Sequence, residues 1–333
     1  MSTTLAPRTI FGSRYKIVSL LGRGGMGHVY RAEHLGLRKE VALKVIGAEL
    51  LGDIEMRFER EARATARLDH PGCIRILDYG RTTDRRQFIA MELIDGPTLA
   101  SELRVGARFT VARAVRIARE LLTALAHAHA RGVLHRDVKP ENVMFSHKDG
   151  TSRTVLIDFG LARLCDDGPL TVAGVCIGSP SYLAPERLLG RLYDARADLY
   201  SVGVVLYEML AGARPFAGDS PREIMRCHLE RPARPLRAWR RDVSPALEQV
   251  VLRALAKEPA RRYADAEEML AALEDVPVLE QLAVQRVLVA RAEEAPTTAF
   301  AELQPLSPSL PRRLWSWIRY GAWRWNIGER TAV

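Results

Sequence analysis

Two short polar motifs lie close together near the middle of the chain. The first, residues 135–142, reads His-Arg-Asp-Val-Lys-Pro-Glu-Asn, and the second, Asp158-Phe159-Gly160, follows an apolar run at 155–157. Carboxylate and amide oxygens are the ligands that a hard divalent cation prefers. Groups of this type at this spacing can hold a metal ion and a phosphoryl acceptor side by side, so the rest of the chain must fold around them.

A glycine-rich turn lies near the start of the chain. Residues 15–21 and 28–32 each alternate between apolar and polar side chains as strands do. Between them, Gly22, Gly24 and Gly27 remove side chains where backbone N–H groups would approach phosphate oxygens. A Rossmann turn has the same glycine spacing, but there a helix follows the last glycine, whereas here a second strand follows. The pattern predicts a hairpin whose tip binds phosphates.

Together these motifs resemble those of the protein kinases. The order H-R-D-x-K-x-x-N, then D-F-G, is similar to the catalytic loop and the metal-binding loop of that family, and the hairpin is similar to its glycine-rich loop. A lysine at position 139 resembles the Ser/Thr branch of the family, which has lysine at this place in the catalytic loop. The pair Gly25-Met26 in the hairpin tip resembles the glycine-rich loop of bacterial members. From about residue 15 to about residue 273, the chain resembles a bacterial eukaryotic-like (Hanks-type) Ser/Thr protein kinase.

The resemblance implies an α+β, two-lobed protein kinase fold for residues 15–276. The N-lobe, 15–94, is expected to hold a five-stranded antiparallel sheet and the helix that this family calls helix C. The C-lobe, 95–276, is expected to be mainly helical. Residues 1–14 are then an N-terminal extension, and residues 277–333 are a C-terminal extension.

The resemblance also assigns roles to residues that match the family motifs. Asp137 matches the carboxylate that orients the substrate hydroxyl, and Lys139 places positive charge beside the transferred group. Asn142 and Asp158 match the ligands of Mg²⁺, for which Mn²⁺ is an alternative. Met91 is expected behind the adenine, although core filling explains a methionine there equally well. The residues expected to contact ATP are Leu21, Gly22, Gly24, Gly27, Val29, Ala42, Lys44, Met91, Glu92, Leu93 and Asp158.

A single lysine, Lys44, interrupts the apolar strand pattern of residues 40–46. A lysine in a strand can be an edge residue, but V-A-L-K after a glycine hairpin resembles the catalytic lysine of the family. A buried ammonium needs an anionic partner, and the helical pattern at 54–68 offers Glu59 and Glu61. We expect Glu61 to be the partner, because R-F-x-R-E-A resembles helix C; Glu59 is the alternative.

The segment between D-F-G and A-P-E resembles the activation loop of the family. Arg136 belongs to the catalytic loop, and in relatives with arginine there it pairs with a phosphate on this segment. Thr171 is the expected phosphosite, and Ser179 is expected to organise the acceptor site. Glu186, in the closing motif, is expected to pair with Arg262.

Local signals place helices in the C-lobe. Thr110 is expected to cap a helix that stops at Gly132. His129, near the end of this helix, is expected at the surface, where the helix dipole favours a cation. His135 is expected to brace the catalytic loop and to pack on Phe159 rather than to act as a base.

Composition narrows the classes of partner. The net charge is +9, but the excess is arginine scattered along the chain, so no nucleic-acid partner is expected. The four cysteines lack metal-ligand spacing, as expected for free thiols in the cytoplasm. Met1–Ser13 lacks the apolar core of a signal peptide, and no apolar run is long enough to span a bilayer. The expected location is cytoplasmic.

The C-terminal extension contains two kinds of sequence. Residues 296–311 have the Ser, Thr and Pro content of a linker, and residues 312–327 hold four of the five tryptophans together with several arginines. On a helical wheel the apolar side chains of 312–327 share one side. This segment is a candidate for peripheral membrane contact or for docking of a partner; a helix that folds back onto the kinase domain is the alternative.

The expected function is that of a signalling enzyme. A Ser/Thr protein kinase would transfer the γ-phosphoryl group of ATP to Ser or Thr hydroxyls of protein substrates, and we expect it to autophosphorylate. A nucleotide-binding pseudokinase scaffold is the alternative; the presence of Lys44, Asp137, Asn142 and Asp158 argues against it, because pseudokinases generally lack one of them. A small-molecule phosphotransferase of the same fold is disfavoured by the activation loop and the A-P-E motif.

Overall fold

The computed structural model describes residues 4–24, 27–46, 59–60, 62–106, 109–147, 150, 152–159 and 180–276. These residues all belong to the first of the two compact units into which the chain divides, Met1–Leu279. A sheet forms the small lobe of this unit, and helices with one short hairpin form the large lobe.

The small lobe is built on an antiparallel sheet of six described strands, in the order β1-β2-β3-β4-β6-β5. The five predicted strands are present as β2 to β6. The additional strand, β1, is too short to produce a periodic sequence signal, and it pairs with β2 in the register Ile10↔Lys16. The bounds are β1 (Ile10–Phe11), β2 (Tyr15–Gly24), β3 (Gly27–His34), β4 (Lys39–Ile46), β5 (Ile76–Arg81) and β6 (Gln87–Glu92).

Residues that precede β2 contribute to this lobe. The backbone N–H of Leu5 donates to the hydroxyl of Tyr30 at 3.0 Å. The side chain of Phe11 is buried and meets Phe88 edge to face, with ring centroids 5.7 Å apart. The N-terminal segment therefore covers apolar surface on one face of the sheet that the other strands would leave in water.

The large lobe is mainly helical, as predicted. Its described elements are α1 (Leu99–Arg104), α2 (Val111–His129), β7 (Val143–Ser146), β8 (Arg153–Leu156), α3 (Pro185–Leu188), α4 (Arg196–Ala211), α5 (Pro221–Glu230), α6 (Pro245–Ala254) and α7 (Ala266–Glu274). Thr110 caps α2 by accepting a hydrogen bond from the N–H of Arg113, which confirms the predicted cap. Gly212 ends α4 with a φ of 72°, a conformation that favours glycine.

Helix α4 lies at the centre of the large lobe. Of its 16 residues 13 are buried, so it is enclosed on all sides, as a helix that is apolar all round should be. Helices α2 and α6 pack against it. Gly203 permits the approach of α6, because a Cβ atom at this position would lie 2.9 Å from the Cβ of Ala254. The helix is therefore a rigid base for the elements that it contacts.

A buried ion pair joins α3 to the segment between α6 and α7. Nη1 and Nη2 of Arg262 each lie 2.7 Å from one carboxylate oxygen of Glu186, which confirms the predicted pair. The remaining N–H groups of Arg262 donate to the carbonyls of Arg196, Ala256 and Lys257. The Arg262 side chain is fully buried, so each of these acceptors is needed to offset the loss of water.

A buried histidine, His228, packs between α4 and α5. Its Nδ1 lies 2.9 Å from the hydroxyl of Tyr200, and its ring centroid lies 4.7 Å from that of Phe216. Burial lowers the pKa of His228 to about 3, and the charge of Lys257 acts in the same direction. The folded protein therefore holds this imidazole in its neutral form at neutral pH.

The neutral His228 makes stability depend on pH. Between the folded pKa near 3 and the ordinary value of 6.5, the unfolded chain binds more protons than the folded chain, so stability falls as the pH falls below 6.5. From about pH 7.5 to about pH 5.5, we expect His228 to account for a loss of about 1 kcal/mol in the free energy of unfolding. Urea unfolding at both pH values, with His228→Asn as the control that cannot gain a proton, measures this contribution. Equal losses in both proteins would contradict the prediction.

Candidate active site

A short hairpin brings the two polar motifs together. Strands β7 and β8, which lie between the motifs, pair antiparallel with Val143 opposite Leu156. Both side chains are fully buried, so the hairpin is held by the core of the lobe. Just beyond it, the N–H of Ile157 donates to the carbonyl of Asn142 at 2.9 Å. The end of the catalytic loop and the start of the D-F-G motif are therefore neighbours.

The carboxylate of Asp137 is held by two groups of its own loop. Nζ of Lys139 donates to its Oδ2 at 2.6 Å, and Nδ2 of Asn142 donates to the same oxygen at 2.9 Å. Nδ2 of Asn142 also donates to the Asp137 carbonyl at 2.8 Å, which fixes the loop backbone. The side chain of Asp137 is 33% exposed, so it can accept a hydrogen bond from a molecule in the cleft. The structure thus places these three predicted residues within one cluster.

Lys44 and Asp158 form an ion pair across the cleft between the lobes. Nζ of Lys44 lies 2.8 Å from Oδ1 of Asp158. Burial raises the pKa of Asp158, but the charge of Lys44 and its hydrogen bond outweigh that effect, so the pKa lies below its usual range. Asp158 is ionised at neutral pH. Its φ of 62° is uncommon for a residue other than glycine, and such backbone strain is typical of functional sites.

The predicted glutamate partner of Lys44, Glu61, lies outside the described residues. The alternative, Glu59, is exposed and lies in the helical segment of the small lobe, whose described residues are 59–60 and 62–65. The prediction for Glu61 therefore stays a prediction.

The strands of the small lobe carry the residues predicted to contact ATP. In the register of β3, β4 and β6, Val29 lies opposite Lys44 and Ala42 lies opposite Met91. Gly27 can only be glycine, because a Cβ atom there would lie 2.1 Å from the carbonyl oxygen of Val45. The remaining predicted contacts lie in β2, at the end of β6 and directly after β6: Leu21, Gly22, Gly24, Glu92 and Leu93.

His135 has a structural role in the catalytic loop. Its Nε2–H donates to the carbonyl of Ile157 at 2.8 Å, and its Nδ1 accepts from the N–H of Asp137 at 3.2 Å. One ring nitrogen donates and the other accepts, so the imidazole is neutral, and burial lowers its pKa accordingly. Its ring meets that of Phe159 with centroids 4.6 Å apart, which confirms the predicted packing.

Asp198, which the sequence analysis did not assign to the site, supports the catalytic loop from α4. Its Oδ2 accepts from the backbone N–H of His135 at 2.9 Å, and its Oδ1 accepts from the N–H of Arg136 at 2.8 Å. Burial raises the pKa of Asp198, but the hydrogen bonds from His129 and from the backbone N–H of His135 outweigh that effect and lower it. A sequence signal existed, because an aspartate in the first turn of an otherwise apolar helix needs a partner.

The predicted surface position of His129 is wrong. Its Nε2 lies 2.8 Å from Oδ2 of Asp198, and its side chain is only 9% exposed. Helix α2 packs against α4, so the end of α2 faces the core instead of water.

Three arginines border a cavity of about 140 Å³ behind the catalytic loop. Arg60 comes from the helical segment of the small lobe, Arg131 from the turn after α2, and Arg136 from the catalytic loop. The φ of Arg136 is 67°, and its carbonyl accepts a hydrogen bond from Nη1 of Arg187. The predicted loop residues Thr171 and Ser179 lie outside the described residues.

The groups around Asp158 suit a hard metal ion. The Asp158 carboxylate and the Asn142 amide are oxygen donors of the kind that Mg²⁺ prefers. No cluster of three or more His, Cys, Asp or Glu side chains with metal-binding geometry occurs in the described part of the chain. Asp158 and Asn142 are the residues that would hold such an ion.

Comparison with known proteins identifies the family. The protein kinase domain family matches residues 15–273. The chain belongs to the protein kinase family. Its two-lobed α+β architecture is the protein kinase fold. Among solved structures, the kinase domain of PknI from Mycobacterium tuberculosis is similar with a TM-score of 0.65 and 33% identity, covering 82% of this chain and 99% of that one.

Two curated bacterial proteins are similar to this chain over most of its length. The chain is 45% identical over 273 residues to serine/threonine-protein kinase pkn3 of Myxococcus xanthus, covering 79% of the chain and 50% of that protein. It is 38% identical over 325 residues to serine/threonine-protein kinase PknD of Mycobacterium tuberculosis, covering 96% of the chain and 48% of that protein. The chain therefore spans about half the length of the curated relatives that it matches.

Among the described residues, no helix has the length and apolar character that crossing a bilayer requires. The segment 312–327 lies outside them, so its contact with a membrane or a partner stays a prediction.

The support from Asp198 can be tested by Asp198→Asn. An amide cannot accept at both positions, so it leaves a buried donor of the catalytic loop without an acceptor, and we expect a loss of about 1–3 kcal/mol in the free energy of unfolding. Amide hydrogen exchange at His135 and Arg136 should accelerate as well. The control is Asp194→Asn, since Asp194 is 63% exposed and should cost less than about 0.5 kcal/mol. An Asp198→Asn protein with unchanged stability and exchange would contradict this role.

Proposed function

We propose that the chain is a Ser/Thr protein kinase that transfers the γ-phosphoryl group of ATP to hydroxyl groups of proteins, including its own. The observation that carries the proposal is the cluster of Asp137, Lys139 and Asn142 beside the ion pair of Lys44 and Asp158. Phosphoryl transfer asks a protein mainly to position an acceptor and to stabilise negative charge, and this cluster offers groups for both tasks.

Asp137 is proposed to bind the acceptor. Its carboxylate accepts the hydrogen of a Ser or Thr hydroxyl and so directs the oxygen towards the γ-phosphorus. Lys139 donates to the same carboxylate and can also donate to an oxygen of the transferred group, where negative charge accumulates. Asn142 keeps the carboxylate in place during the transfer.

Lys44 and Asp158 are proposed to bind the donor. They neutralise each other at 2.8 Å, and each is partly exposed to the cleft. When ATP enters, Lys44 can donate to phosphate oxygens instead. Asp158 and Asn142 would then hold Mg²⁺, or Mn²⁺, which supplies positive charge to the phosphates.

The pseudokinase alternative has less support. A scaffold that binds nucleotide without transfer needs no ordered acceptor carboxylate, yet three hydrogen bonds hold Asp137 and its loop carbonyl.

We also propose a cytoplasmic location, since the reaction requires ATP and the described cysteines, Cys73 and Cys227, are free thiols.

Transfer from labelled ATP tests the proposal. The full chain with Mg²⁺ and a generic basic protein should yield label on Ser or Thr. We expect Asp137→Asn and Asp158→Asn each to lower the rate by about 10²–10⁴-fold, because each removes a carboxylate that the reaction uses. The control is Asp242→Asn, whose carboxylate is exposed and pairs with Arg240. Nucleotide binding without any transfer, before and after treatment with an active kinase, would favour the scaffold instead.

Activation through Thr171 is a further part of the proposal. A phosphate on Thr171 would find three guanidinium groups around the cavity of Arg60, Arg131 and Arg136. We expect Thr171→Ala to lower the transfer rate at least tenfold, and Arg136→Gln to remove the difference between phosphorylated and dephosphorylated enzyme. Phosphopeptide mapping gives the site. Fully active enzyme with unmodified Thr171 would exclude this mechanism.

A further inference from the structure

A small, partly enclosed cavity lies between the helical segment of the small lobe, the sheet and the D-F-G motif. Its volume is about 10 Å³, the room that about one water molecule needs. Two polar residues, Thr65 and Asp158, contribute to a wall that is otherwise apolar. The apolar residues are Ala62, Ile74, Ile76, Ile89, Met91 and Phe159.

The hydroxyl of Thr65 is the unusual feature of this cavity. The residue is 3% exposed, and among the described residues its Oγ1 has no hydrogen-bond partner. A threonine in a helix often donates to a carbonyl of the preceding turn, but the Thr65 hydroxyl makes no such bond to the described residues of its helical segment. A buried hydroxyl without a partner is rare, because it has lost the hydrogen bonds that it would make with water.

Asp158 is the second polar residue in the wall of the same cavity. One of its carboxylate oxygens binds Lys44, and a carboxylate has room for further donors. A water molecule needs at least two polar partners to occupy an internal site, and an apolar cavity of this size would stay dry. Thr65 and Asp158 meet that requirement from opposite sides of the contact between the helical segment and the D-F-G motif.

We propose that this cavity binds one water molecule, which accepts the hydrogen bond of the Thr65 hydroxyl and donates to the Asp158 carboxylate. The water completes the hydrogen bonding of Thr65 and gives the carboxylate a donor in addition to Lys44. The helical segment and the metal-binding carboxylate are thereby joined through a polar contact. Thr65 is a positioning residue for Asp158, a role that rests on the proposed function; the water site itself does not.

A crystal structure of the full chain at high resolution tests the site directly. We expect density for one water molecule between Thr65 and Asp158 in the wild type and in Thr65→Ser, which keeps the hydroxyl. We expect none in Thr65→Val, which keeps the shape but loses the hydroxyl. Ile76→Val is the matched control, because it enlarges the cavity without changing its polar groups, and it should keep the water. A dry cavity in the wild type would overturn the proposal.

Metal binding tests the positioning role. The Mg²⁺ concentration for half-maximal binding of an ATP analogue should rise about threefold to tenfold in Thr65→Val, the range that the loss of one hydrogen bond corresponds to. It should not change in Thr65→Ser or Ile76→Val. An unchanged Mg²⁺ requirement in Thr65→Val would remove the positioning role even if the water is present. Because this assay measures binding, it gives a result whether or not the protein transfers phosphate.

Thermal unfolding distinguishes a cavity that holds a water molecule from a dry cavity. If the hydroxyl is solvated by the bound water, Thr65→Val should be no more stable than the wild type. If the hydroxyl is unsatisfied in a dry cavity, its removal should raise the melting temperature. A more stable Thr65→Val protein would therefore contradict the water site.

Discussion

The hydrogen bonds of the Asp198 carboxylate connect the catalytic loop to the core of the large lobe. Asp198 lies in the first turn of α4 and accepts from His129 and from the backbone N–H groups of His135 and Arg136. A buried carboxylate without partners is costly, and so are buried N–H groups without acceptors, so each side of this network requires the other. Since α4 is enclosed by packed helices, it can shift little. The loop that contains Asp137 is hydrogen-bonded to Asp198 of this helix, so the loop is held in place as well.

The ion pairs in the cleft differ from the Asp198 network because their side chains are partly exposed to water. Lys44 pairs with Asp158, and Lys139 pairs with Asp137, but the side chains of both pairs remain 12–33% exposed. Near a protein surface, two unit charges at 4 Å attract by roughly 4 kcal/mol, a strength that an incoming polyphosphate can match. The pairs are therefore suited to exchange partners, whereas the fully enclosed network of Asp198 and the pair of Glu186 with Arg262 are suited to stay fixed.

Local sequence predicted the parts of the structure that local interactions decide. The alternation in β2 and β3 and the Thr110 cap depend on neighbours within a few residues. Contacts between distant residues were predicted only where the family resemblance supplied them, as for Glu186 with Arg262 and for His135 with Phe159. The position of His129 was missed because nothing in α2 itself reveals that α4 packs against its end. Strand β1 was missed because a strand of two residues is too short to show an alternation of apolar and polar side chains.

The amino-acid sequence by itself determined which chemical groups the site has: the carboxylates of Asp137 and Asp158, the amide of Asn142, two lysines and a glycine hairpin, at spacings that local backbone geometry can position. Only the tertiary structure decided which of these groups meet. Lys44 and Asp158 are 114 residues apart, and they pair because the two lobes pack with the β7–β8 hairpin beneath them. Packing likewise placed Thr65 and Asp158 in the wall of one small cavity, and it placed the Asp198 carboxylate next to the backbone of the catalytic loop. The physical reason is that burial and long-range pairing depend on how whole helices and strands pack together. The sequence neighbours of a residue do not determine this packing.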